Sequence, residues 1–278
     1  MRLTRLRRAS AVATALVAVG LLTACSGASD GSGDASGGGV GLVTEGKLTV
    51  ATGEPAYSPW VEGDDPTTGE GYESAVAYAV AEQLGYDDSD VVWVRTTFDE
   101  AIAPGPKTYD LNLQQFSITD QRKKAVDFSS PYYETRQAVV TLPGTAAADA
   151  TSVADLKGLA IGAQSATTSF TAAETAIDPD GGVQAYNSND DAKAALESGQ
   201  VDAIVLDVPT ATYFVEGGVV LGQLPAAEGA SDELGIVLPL GSDLTSDVTA
   251  AVDALRADGT LDELQQQWLA DYDVPELS

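Results

Sequence analysis

Short apolar runs alternate along the chain with longer stretches in which apolar residues recur every three or four positions, the pattern of an α/β protein with mainly parallel sheets. Residues 48–52 read as a strand. Residues 73–84 read as a helix, with Ala75, Val76, Ala79, Val80 and Leu84 on one stripe and Gly85 as its stop. A second strand is expected at 91–94, then a short helix after Phe98 that Pro104-Gly105-Pro106 cuts off, then a strand at 111–113. The same order recurs further on, with a strand at 159–163, a helix at 190–196 and a buried strand at 201–206 ending at Asp207. Segments 109–115 (YDLNLQQ) and 201–207 (VDAIVLD) are faint copies of each other. They suggest two similar lobes, each aiming the end of a strand at a shared cleft. Two helices close the chain: one capped at Ser246, with Val248, Val252 and Leu255 on a face and Gly259 at its end, and one opened by a Thr260/Glu263 capping box that buries Leu261, Leu264 and Trp268.

The first residues have a different character. Arg2, Arg5, Arg7 and Arg8 precede an apolar run over 11–22, the charged head and apolar core of a secretory signal, expected to occupy 1–24. The run is shorter than the roughly 20 apolar residues of a membrane span. Its end, Leu22-Thr23-Ala24-Cys25, resembles a bacterial lipobox, in which Cys25 receives lipid. Gly, Ser and Asp dominate 25–46, which reads as a flexible tether with a root-mean-square reach of roughly 25 Å.

Composition narrows the chemistry. Cys25 is the only cysteine and there is no histidine, which removes disulfides, Ser-His and Cys-His nucleophile pairs and histidine-containing zinc sites. Without the four leading arginines, ten basic residues face 42 acidic ones, a net charge of −32. Such a chain repels nucleic acid and anionic headgroups. No cofactor is expected.

Residues 116–133, FSITDQRKKAVDFSSPYY, place Ser117, Thr119 and Arg122 just after an apolar strand. An Arg-Lys-Lys run by itself is usually a solvated face. A guanidinium fork, however, matches a carboxylate, and neighbouring hydroxyls can complete a cradle for a small zwitterion. With its Val-Asp-Phe-Ser and Pro-Tyr-Tyr, this run resembles the signature of family 3 extracellular solute-binding proteins, the polar amino-acid-binding lipoproteins of bacterial ABC importers.

That resemblance implies a two-lobed periplasmic-binding-protein-like α/β fold with a hinge and a cleft between lobes. Lobe 1 would comprise 47–138 with 235–278, and lobe 2 would comprise 139–234. The chain would cross between them near 137–141 and 232–235. Arg122, Ser117 and the N–H of Thr168 would hold the ligand's α-carboxylate, while Asp207 and the Ser117 hydroxyl would hold its α-ammonium. In the segment GAQSATTSF, 162–170, a helix is expected to begin near Thr171. Gln164, Thr167 and Thr168 match the family's second-lobe loop, with Ala166 where a glycine is usual; a threonine pair there also reads simply as a cap. Tyr57 and Phe98 would wall the ligand, although aromatics at such places also serve as core. Glu54 would meet the ligand side chain, while Gln114 and Gln115 would narrow the pocket and add amide groups. The implied cargo is a polar amino acid, amide or basic in preference to acidic.

The implied partners are ABC permease subunits and, through lipid on Cys25, the outer face of the cytoplasmic membrane; a monomer is expected. Two rivals use the same fold. One is a sensor lipoprotein reporting to a receptor; the other is an enzyme such as a cyclic-acid dehydratase, with Glu54 or Glu73 as general acid.

Overall fold

Short runs rich in leucine, isoleucine, valine and alanine build two five-stranded sheets in this computed structural model, which describes residues 41–214, 217–225, 232–269 and 274–278. The expected signal, Cys25 and most of the tether lie outside the described residues. Residues 39–278 form one compact unit.

The first sheet contains β1 (Leu48–Gly53), β2 (Val91–Thr96), β3 (Leu111–Asn112), β4 (Val126–Thr135) and β10 (Asp232–Pro239) in the order β2-β1-β3-β10-β4. The second contains β5 (Gln137–Thr141), β6 (Ile161–Gln164), β7 (Val183–Tyr186), β8 (Ala203–Asp207) and β9 (Val219–Gln223) in the order β7-β6-β8-β5-β9. In each sheet three strands run parallel, and the fourth in the order pairs antiparallel with both neighbours. The sheets are therefore mixed, not mainly parallel as the apolar pattern suggested. Their orders correspond strand for strand, and the two segments that looked like copies, β3 and β8, occupy the central position in each.

Arg136 separates β4 from β5, so the chain leaves the first sheet there and returns to it with β10. Helix α1 (Tyr72–Gln83) packs with α7 (Thr245–Ala257) and α8 (Thr260–Trp268) over the first sheet, burying Val76, Val80, Val248, Val252, Leu255 and Leu261 with Leu48 and Val50. Leu264 and Trp268 are partly buried against the same core. Strand alternation divides the second lobe's core: Ala138, Val140, Ile204 and Leu206 lie in one cluster, and Val139, Ala203 and Val205 in another.

Several local readings change. The first residue of α7 is Thr245, not a helix capped by Ser246. The Thr260/Glu263 box does not form: Gly259, at φ +89°, occupies the cap position and Thr260 is already helical. Capping boxes occur instead at Thr97/Glu100, opening α2 (Phe98–Ile102), and at Ser152/Asp155, opening α3 (Val153–Leu156). The last described residues leave the first lobe, to which 235–278 was assigned. Glu276 bridges to Gln223 of β9, and Leu277 is buried in the second lobe's core.

Candidate functional site

Between the lobes lies a cavity of about 140 Å³. The first lobe contributes Glu54, Tyr57, Phe98, Gln115 and Arg122 to its wall; the second contributes Gln164, Thr167, Thr168 and Asp207. Nine of the ten residues proposed for ligand binding thus converge. Ser117 is the tenth. It is buried, its Oγ shares a hydrogen bond of 3.0 Å with Thr168 Oγ1 across the lobes, and it is not on the cavity wall.

Arg122 opens a short 3-10 turn, Arg122–Lys124, inside the signature segment 116–133. Arg122 is 7% exposed whereas Lys123 and Lys124 are solvated, so the turn divides the basic run into one inward and two outward side chains. Nη1 donates to Ser117 O at 2.8 Å, and Nη2 donates across the cleft to Ala166 O at 2.9 Å. Its carbon lies 5.2 Å from the Phe98 ring centroid and 5.8 Å from that of Phe116, within cation–π range. Among the described residues, no carboxylate forms an ion pair with it within 4.0 Å. Burial pushes its pKa down to about 10, against the opposing pull of Asp207 and Asp232. A buried cation with neutral hydrogen-bond partners is costly and calls for an anion.

Asp207 closes β8 at the carboxyl end of the strand, where α/β sheets place ligands. Its Oδ1 accepts from Gln137 Nε2 at 2.8 Å, and the same Nε2 donates to Asp232. Burial first, and then the negative charge of Asp232, push the Asp207 carboxyl up to about 7 against the Gln137 bond and the pull of Arg122. A cationic ligand group would relieve both effects.

The second-lobe loop is set by its threonines. Thr167 caps α4 (Thr168–Ala172), accepting from Phe170 N at 3.0 Å and donating to Gln164 O at 2.6 Å. The helix therefore starts at Thr168 and not near Thr171, and Thr167 both caps it and lines the cavity. Ala166 sits at φ +60°, a left-handed conformation that costs an L-residue about 1–2 kcal/mol and glycine almost nothing. Ala166→Gly is expected to stabilise the protein by about 0.5–1 kcal/mol, net of the added freedom of the unfolded chain. A thermal melt showing an unchanged or lower midpoint would contradict this.

Tyr57 spans the cavity mouth. Its hydroxyl donates to Asp190 at 3.0 Å, in α5 (Asn189–Glu197), and its ring meets Phe214 edge-on at 4.8 Å between centroids. Nearby, Trp60 Nε1 donates to Thr210 Oγ1 at 2.9 Å across the lobes. Arg95 braces the loop from the first-lobe side, donating to Gly53 O and to Asp64. Phe98 stacks tilted on Phe116 at 4.6 Å while remaining on the wall, so it serves core and site together.

The sequence reading missed Asn187, Ser188 and Asn189, which also line the cavity. Their signal was a polar run directly after a strand of the second sheet. Glu73, considered as a general acid, is buried, hydrogen-bonded on both oxygens and off the cavity wall.

The chain is 32% identical over 231 residues to the L-arginine-binding protein of Pseudomonas aeruginosa, covering 80% of this chain and 87% of that one. It is 28% identical over 214 residues to the ABC transporter glutamine-binding protein GlnH of Bacillus subtilis, covering 74% and 75%. Among solved structures, an ancestral arginine-binding protein bound to glutamine matches with a TM-score of 0.67 at 28% identity, over 82% of this chain and all of that one. An ancestral amino-acid-binding protein described as a precursor of cyclohexadienyl dehydratase matches with a TM-score of 0.65 at 29% identity, over 80% and 95%. With residues 48–271 matching its pattern, the chain belongs to the bacterial extracellular solute-binding proteins, family 3.

Proposed function

We propose that the chain captures a polar amino acid with an amide or basic side chain between its lobes and delivers it to an ABC permease. It would do so while held at the outer face of the cytoplasmic membrane by lipid on Cys25. The observation that carries the capture step is the buried Arg122 guanidinium, bonded only to neutral groups, on the same cavity as the Asp207 carboxylate. Arg122 would take the α-carboxylate and Asp207 the α-ammonium. Thr168, at the start of α4, would supply its N–H to the carboxylate. Ser117 would act through its bond to Thr168 instead of by direct contact.

Among the described residues Arg122 is the only cationic side chain on the cavity wall, which also holds Glu54 with five amides, Gln114, Gln115, Gln164, Asn187 and Asn189. Such a lining supports a guanidinium, ammonium or amide side chain and disfavours a carboxylate. The named relatives bind arginine or glutamine, in keeping with that chemistry. Binding and not turnover is the reading for this site, since among the described residues the one acid on the wall besides Asp207 is the exposed Glu54.

Calorimetric titration of residues 41–278, freed of carried-over ligand by unfolding and refolding, tests the reading. Arginine, lysine, histidine and glutamine should include at least one tight ligand, and glutamate should be weak. Tight glutamate binding with no response to the other four would refute the side-chain assignment, and silence to every amino acid would refute the capture step.

A further inference from the structure

Glu73 is the second residue of α1 and is 1% exposed. Its Oε1 accepts from Gln115 N at 2.7 Å and from the Tyr132 hydroxyl, and its Oε2 accepts from Gln115 Nε2. Gly71 makes this placement possible: it enters the helix at φ +97°, where an added Cβ would lie 2.6 Å from Trp60 O. Glu73 itself does not reach the cavity, but Gln115 lines it. Gln115 also holds a left-handed backbone, φ +51°, that a non-glycine residue keeps only when its surroundings enforce it. Glu73 supplies that enforcement at both ends of the residue.

A carboxylate can only accept, so the Gln115 amide must turn its nitrogen toward Glu73. Among the described residues Gln115 Oε1 has no hydrogen-bond partner, which leaves it available to a ligand. Gln114 is not fixed in this way, since its Oε1 lies at 3.5 Å from Thr96 Oγ1.

We infer that Glu73 is a positioning residue that sets the polarity of the side-chain end of the cavity. By holding Gln115 Nε2 it presents Gln115 Oε1, on the same cavity wall as Glu54, to the bound side chain, and so selects a donor-only cationic group such as a guanidinium over an isosteric group carrying an acceptor. The inference rests on the amino-acid-binding reading of the same cavity and assigns its discrimination to a residue outside the wall.

L-arginine and L-citrulline make the test, because citrulline replaces one guanidinium nitrogen by a urea oxygen at nearly the same shape. Titrations are run at pH 8, above the value of about 7 to which burial lifts Glu73. The wild type should bind arginine at least about tenfold more tightly than citrulline. In Glu73→Gln the new amide can donate to Gln115 and let its side chain turn over, so the citrulline-to-arginine Kd ratio should fall at least about tenfold.

A purely structural role would weaken both ligands by the same factor and leave the ratio unchanged, which would overturn the inference. If Glu73→Gln does not fold, Gln115→Met is read instead: it removes the acceptor, so the ratio should fall, and an unchanged ratio again overturns the inference. A wild type that binds the two ligands equally overturns it while leaving amino-acid capture intact. A wild type that binds no amino acid at all removes capture as well.

Discussion

Replacing Arg122 by alanine is expected to weaken amino-acid binding at least about 30-fold. Among the described residues the guanidinium is the one cation on the cavity wall, and removing one partner of a buried, hydrogen-bonded charge pair costs about 2–5 kcal/mol. Arg122→Lys should recover only part of the loss, since an ammonium keeps the charge but lacks the planar fork for a carboxylate. Calorimetry on both variants decides the matter, and an alanine variant within about threefold of wild-type affinity would remove Arg122 from the ligand's α-carboxylate. Each variant's melt needs recording beside its affinity, because the Ser117 and Ala166 carbonyls lose their donor in the alanine variant.

The second large effect is expected from pH. Asp207 must be ionised to hold an α-ammonium, yet burial and Asp232 lift its carboxyl to about 7. Affinity for the zwitterion should therefore be highest above pH 7 and fall by up to about 100-fold between pH 8 and pH 5, as the proton competes with the ligand. Binding at pH 6 should release a proton, visible as a dependence of the heat on the buffer's ionisation enthalpy. Asp207→Asn should bind weakly at every pH, without this slope. A flat wild-type profile from pH 8 to pH 5 would show that Asp207 does not meet the ammonium.

Ligand-free stability should run the other way. Glu73 and Asp207 both have folded-state values raised above their ordinary ones, so the folded chain binds more protons than the unfolded chain between about pH 4 and pH 7. Their contribution is fully present below about pH 4 and is lost as pH rises through 7.

Much of this was legible because strand ends and hydrophobic periods are local properties. Arg122 stood out from Lys123 and Lys124 through its place in the signature, and a single buried turn then separated the three. Asp207 followed from an apolar strand with a charged end. Strand direction was not legible, since the continuous apolar runs of β5 and β10 read the same whichever way their neighbours run. Capping boxes were misplaced because a Ser or Thr caps only where the chain enters the helix; a left-handed Gly259 took that place before Thr260. Ser117 could not be excluded from the cavity without its partner, as the Thr168 hydroxyl lies 51 positions away. The role of Glu73 was hidden for a similar reason: its meaning depends on a backbone bend at Gln115 that no sequence period reports.

Four of the bonds that join the lobes involve no ligand atom: Ser117 with Thr168, Arg122 with Ala166, Tyr57 with Asp190 and Trp60 with Thr210. Closure thus has an energy of its own, and cargo adds to it. On the capture reading, a molecule arriving from outside would enter only during the fraction of time in which those bonds are open, and its apparent affinity would be reduced by that fraction. At high concentration its rate of entry would level off at the rate of opening. On the same reading those bonds would slow escape, trading speed of loading for time in hand before cargo is lost.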